Sequence, residues 1–468
     1  MPHTFQKQRV FLTTDTWTSI QNLSYMCLTA HWIDNDWNLH KRILNFCIFP
    51  NHKGVTISKH IEKCLQEWGI DRIFTITLDN ASSNDTAIKY LKRKTKDWKI
   101  TILDNEFLHM RCCAHIVNLI VCEGLKDQNE LVVKIRNVVR YVRSSPSRLQ
   151  TFKNCAEREK IPSKSLVCLD FPTSWNSTYT MLEAVVKFQN AFKRLQEEDS
   201  QFDSYFNDDD NDENEVEDDN GRGKGRGRKN IGPPNVLDWG KARIFVQFLK
   251  LFYKVTLRFS GFLYVTSNAF FHELVSVTSN AFFHELVLVQ SKLLTLSRSE
   301  DNMLKNMAAS MRKKYDKYWE NIKNINFLLY VAVVLDPHYK LRYIMFYFKQ
   351  VYENSKVEEL IAMDTSANVA KPSISQTFEE MVVDDEEEDA SKSFAFQYKK
   401  HLEDAESLEN KSEVDSMAVP VSTVASESAF STGGRVLDPF RSSLTPKMVE
   451  ALICGQNWLW SSSIPINL

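Results

Sequence analysis

The sequence predicts an α/β fold in which a mixed β-sheet is interrupted by a large helical insertion domain, with two disordered acidic linkers. Residues 8–52 are rich in β-branched and aromatic side chains that alternate with polar ones, which is typical of strands. Apolar residues then recur at helical spacing between Thr56 and Gly69. Acidic runs at 197–219 and 384–389 have too little apolar surface to fold, which indicates linkers.

The first 130 residues contain strands and helices in an informative order. Antiparallel strands come first and strands connected by helices come afterwards, which is the succession expected of an RNase H-like sheet. The predicted elements are three strands within 8–52, a helix over 56–69, a strand over 73–78, a helix over 80–92, a strand at 109–112 and a helix over 114–125.

The rest of the chain divides into an insertion, the linkers and a C-terminal region. The apolar stretches within 236–350 are helical in pattern and need a partner surface to be stable in water. The predicted segments are 1–130 as the first part of the sheet domain, 131–196 as the helical start of the insertion, 197–235 as a disordered acidic and basic linker, 236–350 as the helical insertion domain, 351–417 as a disordered acidic segment and 418–468 as the region that completes the sheet domain.

The charge of the chain excludes a globally basic nucleic-acid binder. The formal net charge is -2 and the pI is about 6.6, so any DNA contact must come from local patches. The nine cysteines are an odd number scattered through apolar runs, which favours reduced thiols in an intracellular protein. No apolar signal region opens the chain and no stretch approaches the ~20 apolar residues of a membrane span, so we expect neither secretion nor membrane insertion.

Three acidic residues are candidates for chemistry. Asp15 lies in a predicted strand and Asp79 directly follows one, so two neighbouring strands would bring their carboxylates together. Paired carboxylates hold the hard divalent cations used in phosphoryl transfer, whereas either aspartate alone would be interpreted as a cap or turn residue. Glu427 lies in a predicted helix of small, uncharged residues that can approach a sheet closely, although most helical glutamates are solvated.

Five segments resemble, in the same order, those of hAT-superfamily transposases, and in particular those of plant Ricesleeper-type zinc-finger-BED proteins. They are "LTTDTWTS" at 12–19, "ITLDNASSND" at 76–85, "RCCAHIVNLIV" at 111–121, "SWNSTYTML" at 174–182 and "PVSTVASESAFSTGGRVLDPFRSSLTP" at 420–446. The resemblance implies that Asp15, Asp79 and Glu427 are the catalytic DDE acids, which would bind Mg2+ or Mn2+. It also implies a DNA substrate, a nuclear location and a helical insertion ahead of the glutamate.

Two further motifs allow two interpretations each. Cys112 and His115 match a Cys-x-x-His motif of the family; because a structural zinc site needs four ligands, a packed structural role is favoured over zinc binding. Trp175 matches a family tryptophan that implies a stacking platform for bases, and a half-buried core tryptophan is the alternative. Ser174 stands where the family usually has arginine, which removes a phosphate or base contact.

A basic run in the first linker offers another DNA contact. Its cations would follow phosphates without sequence preference, and a soluble spacer neutralised by the acidic residues upstream is the alternative. The residues concerned are Arg222, Lys224, Arg226, Arg228 and Lys229.

The chain departs from the family near both ends. We expect no BED finger, and an acidic segment stands where the family's dimerisation region carries a tryptophan-rich helix. The tail from Pro446 still predicts an amphipathic helix, which either packs on its own core or supports a homo-oligomer. The apolar residues of this helix are Met448, Val449, Leu452, Ile453 and Leu459.

Three functions compete for these observations. The presence of all three acids favours an active, metal-dependent transposase that nicks and joins DNA. Three features favour a transposon-derived binding protein or a remnant instead. They are the missing finger, the shortened dimerisation region and an identical tandem copy of "VTSNAFFHELV" at 265–275 and 277–287. On balance the sequence predicts a transposon-derived, nuclear, DNA-binding and dimerising protein with a degenerate DDE core, and a remnant without function is the third candidate.

Overall fold

The computed structural model of the protein describes two compact units, one within residues 1–116, 257–292 and 315–468 and the other within 117–256 and 293–314. The predicted basic run at 222–229 and the predicted acidic segment at 351–417 lie outside the described residues. The described residues are 9–19, 21–36, 38–96, 105–126, 129–161, 166–171, 174–207, 232–260, 279–320, 325–330, 420–437, 444–460 and 464–465.

A mixed sheet forms the centre of the first unit. Its strands are β1 (Val10–Thr18), β2 (Ser24–Ile33), β3 (Asn38–Ile48), β4 (Ile73–Leu78), β5 (His109–Arg111) and β6 (Ile464–Pro465). They lie in the order β5-β4-β1-β2-β3-β6. β1, β2 and β3 form an antiparallel meander, while β4 and β5 run parallel to β1 on its other side. β1 therefore has a neighbour on both sides and lies inside the sheet.

Helices connect the later strands and make up most of the remaining described residues. They are α1 (Gly54–Trp68), α2 (Ser82–Thr95), α3 (Cys113–Lys126), α4 (Asn129–Arg143), α5 (Pro146–Arg158), α6 (Trp175–Lys187), α7 (Gln189–Glu198), α8 (Gln201–Asn207), α9 (Val236–Ser260), α10 (Ser279–Ser297), α11 (Asn302–Tyr315), α12 (Val424–Val436) and α13 (Pro446–Trp460). No helix in these ranges is both long and apolar enough to cross a lipid bilayer.

The succession of elements predicted for the first 130 residues is confirmed. Three strands, helix, strand, helix, strand and helix follow one another from β1 to α3. α1 ends at Gly69, whose φ of 63° is left-handed and which caps the helix by donating its backbone N–H. Glycine suits this position because it has no side chain to oppose that conformation.

The two faces of the sheet are covered by different parts of the chain. One face packs against α1 and α2, through residues such as Ile61, Leu65 and Leu91. The other face packs against α12 and α13 from the C-terminal region, through Phe430 and Ile453 among others. β6 adds a short antiparallel strand beside β3. That residues 418–468 complete the sheet domain stays a prediction.

The second unit is helical, and it corrects one predicted boundary. The linker predicted to begin at residue 197 starts too early, because α7 continues to Glu198 and α8 follows. Phe202 and Phe206 of α8 are buried, and the Phe202 ring packs edge-on against Tyr141 at 5.0 Å. The prediction was wrong because two buried rings at helical spacing outweigh the acidic composition around them.

Candidate active site

The parallel pairing of β1 and β4 places two acidic residues at matching positions. The register pairs the residues two positions before each of them, so Asp15 on β1 and Asp79 after β4 follow at the same level of neighbouring strands. Backbone amides orient both carboxylates. The Thr16 N–H donates to Asp15 Oδ1 at 2.8 Å, and the Ala81 N–H donates to Asp79 Oδ1 at 2.8 Å.

The segment that leads into α12 docks on these same strands. Thr77 Oγ1 donates to the carbonyl of Pro420 at 2.7 Å, although the two residues are 343 positions apart in sequence. Ser426 Oγ donates to the carbonyl of Thr13 at 2.8 Å, and Ser426 and Thr13 are fully buried. Since both contacts involve β4 or β1, they fix the start of α12 above the strands that carry the aspartates.

Glu427, the residue after Ser426, brings a third carboxylate to Asp15. The pKa of Asp15 is raised to about 8, first because its carboxyl group is buried and next because Glu427 and then Asp79 place negative charge nearby; the hydrogen bond from the Thr16 N–H opposes the rise. Thr423 Oγ1 donates to Glu427 Oε1 at 2.6 Å and holds that side chain from one turn earlier. Glu427 and Asp79 therefore both act electrostatically on Asp15.

The donor chemistry of these acids fits a hard divalent cation. Carboxylate oxygens are the ligands that Mg2+ and Mn2+ prefer, and positive charge would offset the mutual repulsion that raises the pKa of Asp15. Within the described part of the chain, no three histidine, cysteine or carboxylate side chains stand at the spacing of a completed metal site. The donor set is thus suitable, and side-chain adjustment would be needed to close it around an ion.

Comparison with known families matches four parts of this architecture. The ZBED1 RNase-like domain matches residues 13–107, the ZBED1 RNase-like helical domain 110–218, the hAT-like transposase with RNase-H fold 280–382 and the hAT family C-terminal dimerisation region 413–459. Two of the four matches, over residues 280–382 and 413–459, are to domains of hAT-type transposases. The predicted RNase H-like fold class is confirmed, and the RNase-like match covers the strands that carry Asp15 and Asp79.

Individual relatives agree with the family matches. The putative AC transposase of Zea mays is 30% identical over 97% of this chain and 57% of its own length. The zinc finger BED domain-containing protein RICESLEEPER 2 of Oryza sativa subsp. japonica is 28% identical over 96% of this chain and 65% of its own length. DAYSLEEPER of Arabidopsis thaliana is 26% identical over 97% and 64%. The chain spans less than two thirds of each of these hAT-like relatives.

Cys112 links the end of β5 to the start of α12. Its buried Sγ accepts the backbone N–H groups of His115 and Thr423, both at 3.5 Å, and lies 3.4 Å from the Thr423 hydroxyl oxygen. Burial, followed by the negative charge of Glu427, raises the pKa of the Cys112 thiol to about 11, which keeps it neutral at physiological pH. These contacts fit the packed structural role.

Trp175 lies apart from the three acids in sequence and belongs to the second unit. It is the first residue of α6, and only 4% of its surface is exposed. This burial corresponds to the core-tryptophan alternative. A base-stacking role for Trp175 stays a prediction, as does DNA binding by the basic run at 222–229.

Sequence reasoning did not find the buried hydroxyl network that seats α12. Ser426 Oγ lies 3.1 Å from Thr13 Oγ1 and 3.2 Å from Thr29 Oγ1. Thr13 Oγ1 also lies 3.2 Å from Nε2 of His31, whose pKa is lowered to about 3 by burial and by Lys41, so the ring is neutral. The available signal was threonine at inward strand positions. It is a weak signal, because threonine is enriched in strands just as valine is.

The apolar face predicted for the C-terminal helix divides into two. Val449 and Ile453 of α13 are buried in the core of the first unit. Met448, Leu452 and Leu459 are 52%, 50% and 82% exposed. The hAT dimerisation region therefore both packs on its own sheet and leaves an apolar stripe uncovered within the described residues.

Proposed function

We propose that the protein is a nuclear, DNA-binding, hAT transposase-like enzyme in which Asp15, Asp79 and Glu427 form a site for metal-dependent cleavage and joining of DNA strands. The docking of α12 carries this proposal, because the Ser426 hydroxyl seats the helix that bears Glu427 beside the two strand-end aspartates. The sequence alone favours a degenerate core, whereas the mutual arrangement of the acids favours an active one.

The residues around the acids support this assignment. The carboxylates would hold Mg2+ or Mn2+, ions that stabilise the attacking and leaving oxygens of phosphoryl transfer. Asn84 donates its side-chain amide to Asp79 Oδ1, and Thr423 donates its hydroxyl to Glu427. Asp79 is thus oriented by a side chain of the helix that follows it, and Glu427 by the residue that precedes its own helix, a form of preorganisation that active sites require.

A nicking and strand-transfer assay tests the proposal. The full chain, incubated with supercoiled plasmid and Mg2+ or Mn2+, should produce nicked circles that EDTA abolishes. Asp79→Asn should remove the activity, because an amide is a weaker ligand for a hard cation. Glu67→Gln, a change on the exposed face of α1, is the matched control and should retain it. Absence of nicking, or nicking that persists in Asp79→Asn, would contradict catalysis by these acids.

A DNA-binding dimer without catalysis is the second candidate function. The exposed stripe of α13, inside the matched dimerisation region, is the observation that favours it. A protein that dimerises and retards DNA, yet fails the nicking assay, would support this candidate. A nuclear location is part of both candidates, since chromosomal DNA is the substrate that each requires, and imaging of a fluorescent fusion tests it.

A further inference from the structure

An aromatic ring stands exposed in the second unit, shortly before α6. The side chain of Phe171 is 73% exposed, whereas Trp175, four positions later, is buried. Burying an apolar ring of this size is favourable, so a ring left in water is a candidate contact surface. An exposed ring on a mobile loop is weak evidence for a contact surface. The backbone hydrogen bonds of Phe171 show whether its ring is held in place.

The backbone of Phe171 is held on both sides. Its N–H donates to Ser177 Oγ at 2.8 Å, and its carbonyl accepts from the Ser174 N–H at 2.8 Å and from Ser177 Oγ at 2.9 Å. The ring is therefore presented by a segment fixed to the first turn of α6. A partner that stacks on it has little conformational entropy left to remove.

The preceding residue fixes the same segment to α4. The side chain of Asp170 is fully buried and accepts two hydrogen bonds of 2.7 Å from Arg136. Thr178 Oγ1 donates to the same carboxylate at 2.8 Å. A bidentate arginine–carboxylate pair in a buried setting is a strong positional constraint. Phe171 is thus tied to the position of Arg136 on α4.

Arg136 begins a row of arginines along α4. Arg140 and Arg143 follow at spacings of four and three residues, which puts all three on one side of the helix. Arg140 and Arg143 are exposed, and neither forms an ion pair with a carboxylate in the described part of the chain. By contrast, Arg158 on α5 is neutralised by Glu198 at 2.8 Å. The row therefore presents positive charge that no described acid offsets.

We propose that Phe171, Arg140 and Arg143 form a contact for DNA that carries an unpaired base. The two guanidinium groups would bind consecutive phosphates, and the Phe171 ring would stack on a base outside the duplex. A fully paired duplex offers no free base face to a side chain, so the ring selects for an unpaired or extruded base. The proposal rests on the proposed DNA-directed function and names the form of DNA that the second unit takes.

Binding measured by fluorescence anisotropy tests this contact. The full chain in EDTA is titrated into a fully paired duplex and into the same duplex with one unpaired base. Phe171→Ala should weaken binding to the second probe by about 5- to 100-fold, the range expected for one base–aromatic stack, and should leave the first nearly unchanged. Phe171→Trp should restore the difference. Leu237→Ala, which removes an equally exposed side chain of the same unit, is the matched control.

Arg140 and Arg143 should affect DNA binding in a different way from Phe171. The double change Arg140→Gln with Arg143→Gln should weaken binding to both probes and reduce the slope of log K against log salt by about 1.8, because two phosphate contacts are lost. Arg158→Gln should change neither. Equal effects of the control and test variants, unaltered binding in Phe171→Ala, or binding to an acidic peptide in preference to DNA would each overturn the proposal. Loss of nicking with intact probe selectivity would contradict catalysis and leave this contact standing.

Discussion

The carboxyl group of Asp15 is buried beside two other acids, and this favours its protonated form in the folded chain. A residue chosen for stability alone would not be a carboxylate at that position. Active sites commonly keep such groups because the same negative charge that opposes folding attracts a cation. The loss of stability that the charge causes should therefore be measurable when no cation is present.

Asp15→Asn should raise the melting temperature of the metal-free protein, and by more at pH 8 than at pH 5. The pKa of Asp15 is raised from its ordinary value of 3.8 to about 8 in the folded protein. At pH values between these two, the folded protein keeps a proton at Asp15 that the unfolded chain has released. The stabilisation linked to that proton is complete at low pH and is lost as the pH rises through 8. The asparagine variant does not titrate, so its stability does not fall in this way. Thermal unfolding in EDTA checks this, and an equal gain at both pH values would contradict it.

At the scale of secondary-structure elements, periodicity predicted β1 to α3 well because each element buries one regular face. The same reasoning missed α8, where acidic residues surround the buried rings. It also could not reveal how α12 docks. That contact depends on hydroxyl pairs such as Ser426 and Thr13, which are far apart in sequence and leave no periodic apolar pattern.

Ser426→Ala should lower the free energy of unfolding by about 1 to 3 kcal/mol, because the buried hydroxyls of Thr13 and Thr29 lose a partner. If Ser426 also positions Glu427, the variant should show a smaller rise in melting temperature with Mn2+ than the parent protein. Urea unfolding and thermal shift provide the two measurements. Ser147→Ala, at an exposed position on α5, serves as the control and should match the parent.

The exposed stripe of α13 has the spacing of a helix interface. Met448, Leu452, Gly455 and Leu459 follow one another at intervals of four, three and four residues, and the glycine would allow a second helix to approach closely. Leu452→Asp should convert a dimer into a monomer in size-exclusion chromatography with light scattering. Val55→Asp, at an equally exposed apolar position on α1, should not. A monomeric parent protein would argue against this stripe as a dimer contact.

At the scale of the whole molecule, the sheet domain is assembled from both ends of the chain. α12 and α13 cover the face formed by Tyr25, Ile43 and Phe46, which lie in β2 and β3. The family likeness could be recognised from short sequence segments. The packing shows what holds the C-terminal region on the sheet domain: it covers an apolar face of the sheet.

A chain that ends at residue 417 should therefore expose this face. We expect it to bind a hydrophobic dye strongly and to melt at a lower temperature than the full chain, because several large side chains lose their burial. Supplying residues 418–468 as a separate peptide should reduce the dye signal. An undiminished melting temperature in the shortened chain would show that α12 and α13 are dispensable for the fold.

The 413 positions between Thr13 and Ser426 also determine when the proposed cutting centre can exist. During translation the two aspartates leave the ribosome well before the helix that bears the glutamate. A nascent or prematurely terminated product would hold two ligands and lack the third. The proposed site would thus stay incomplete until that helix has been synthesised.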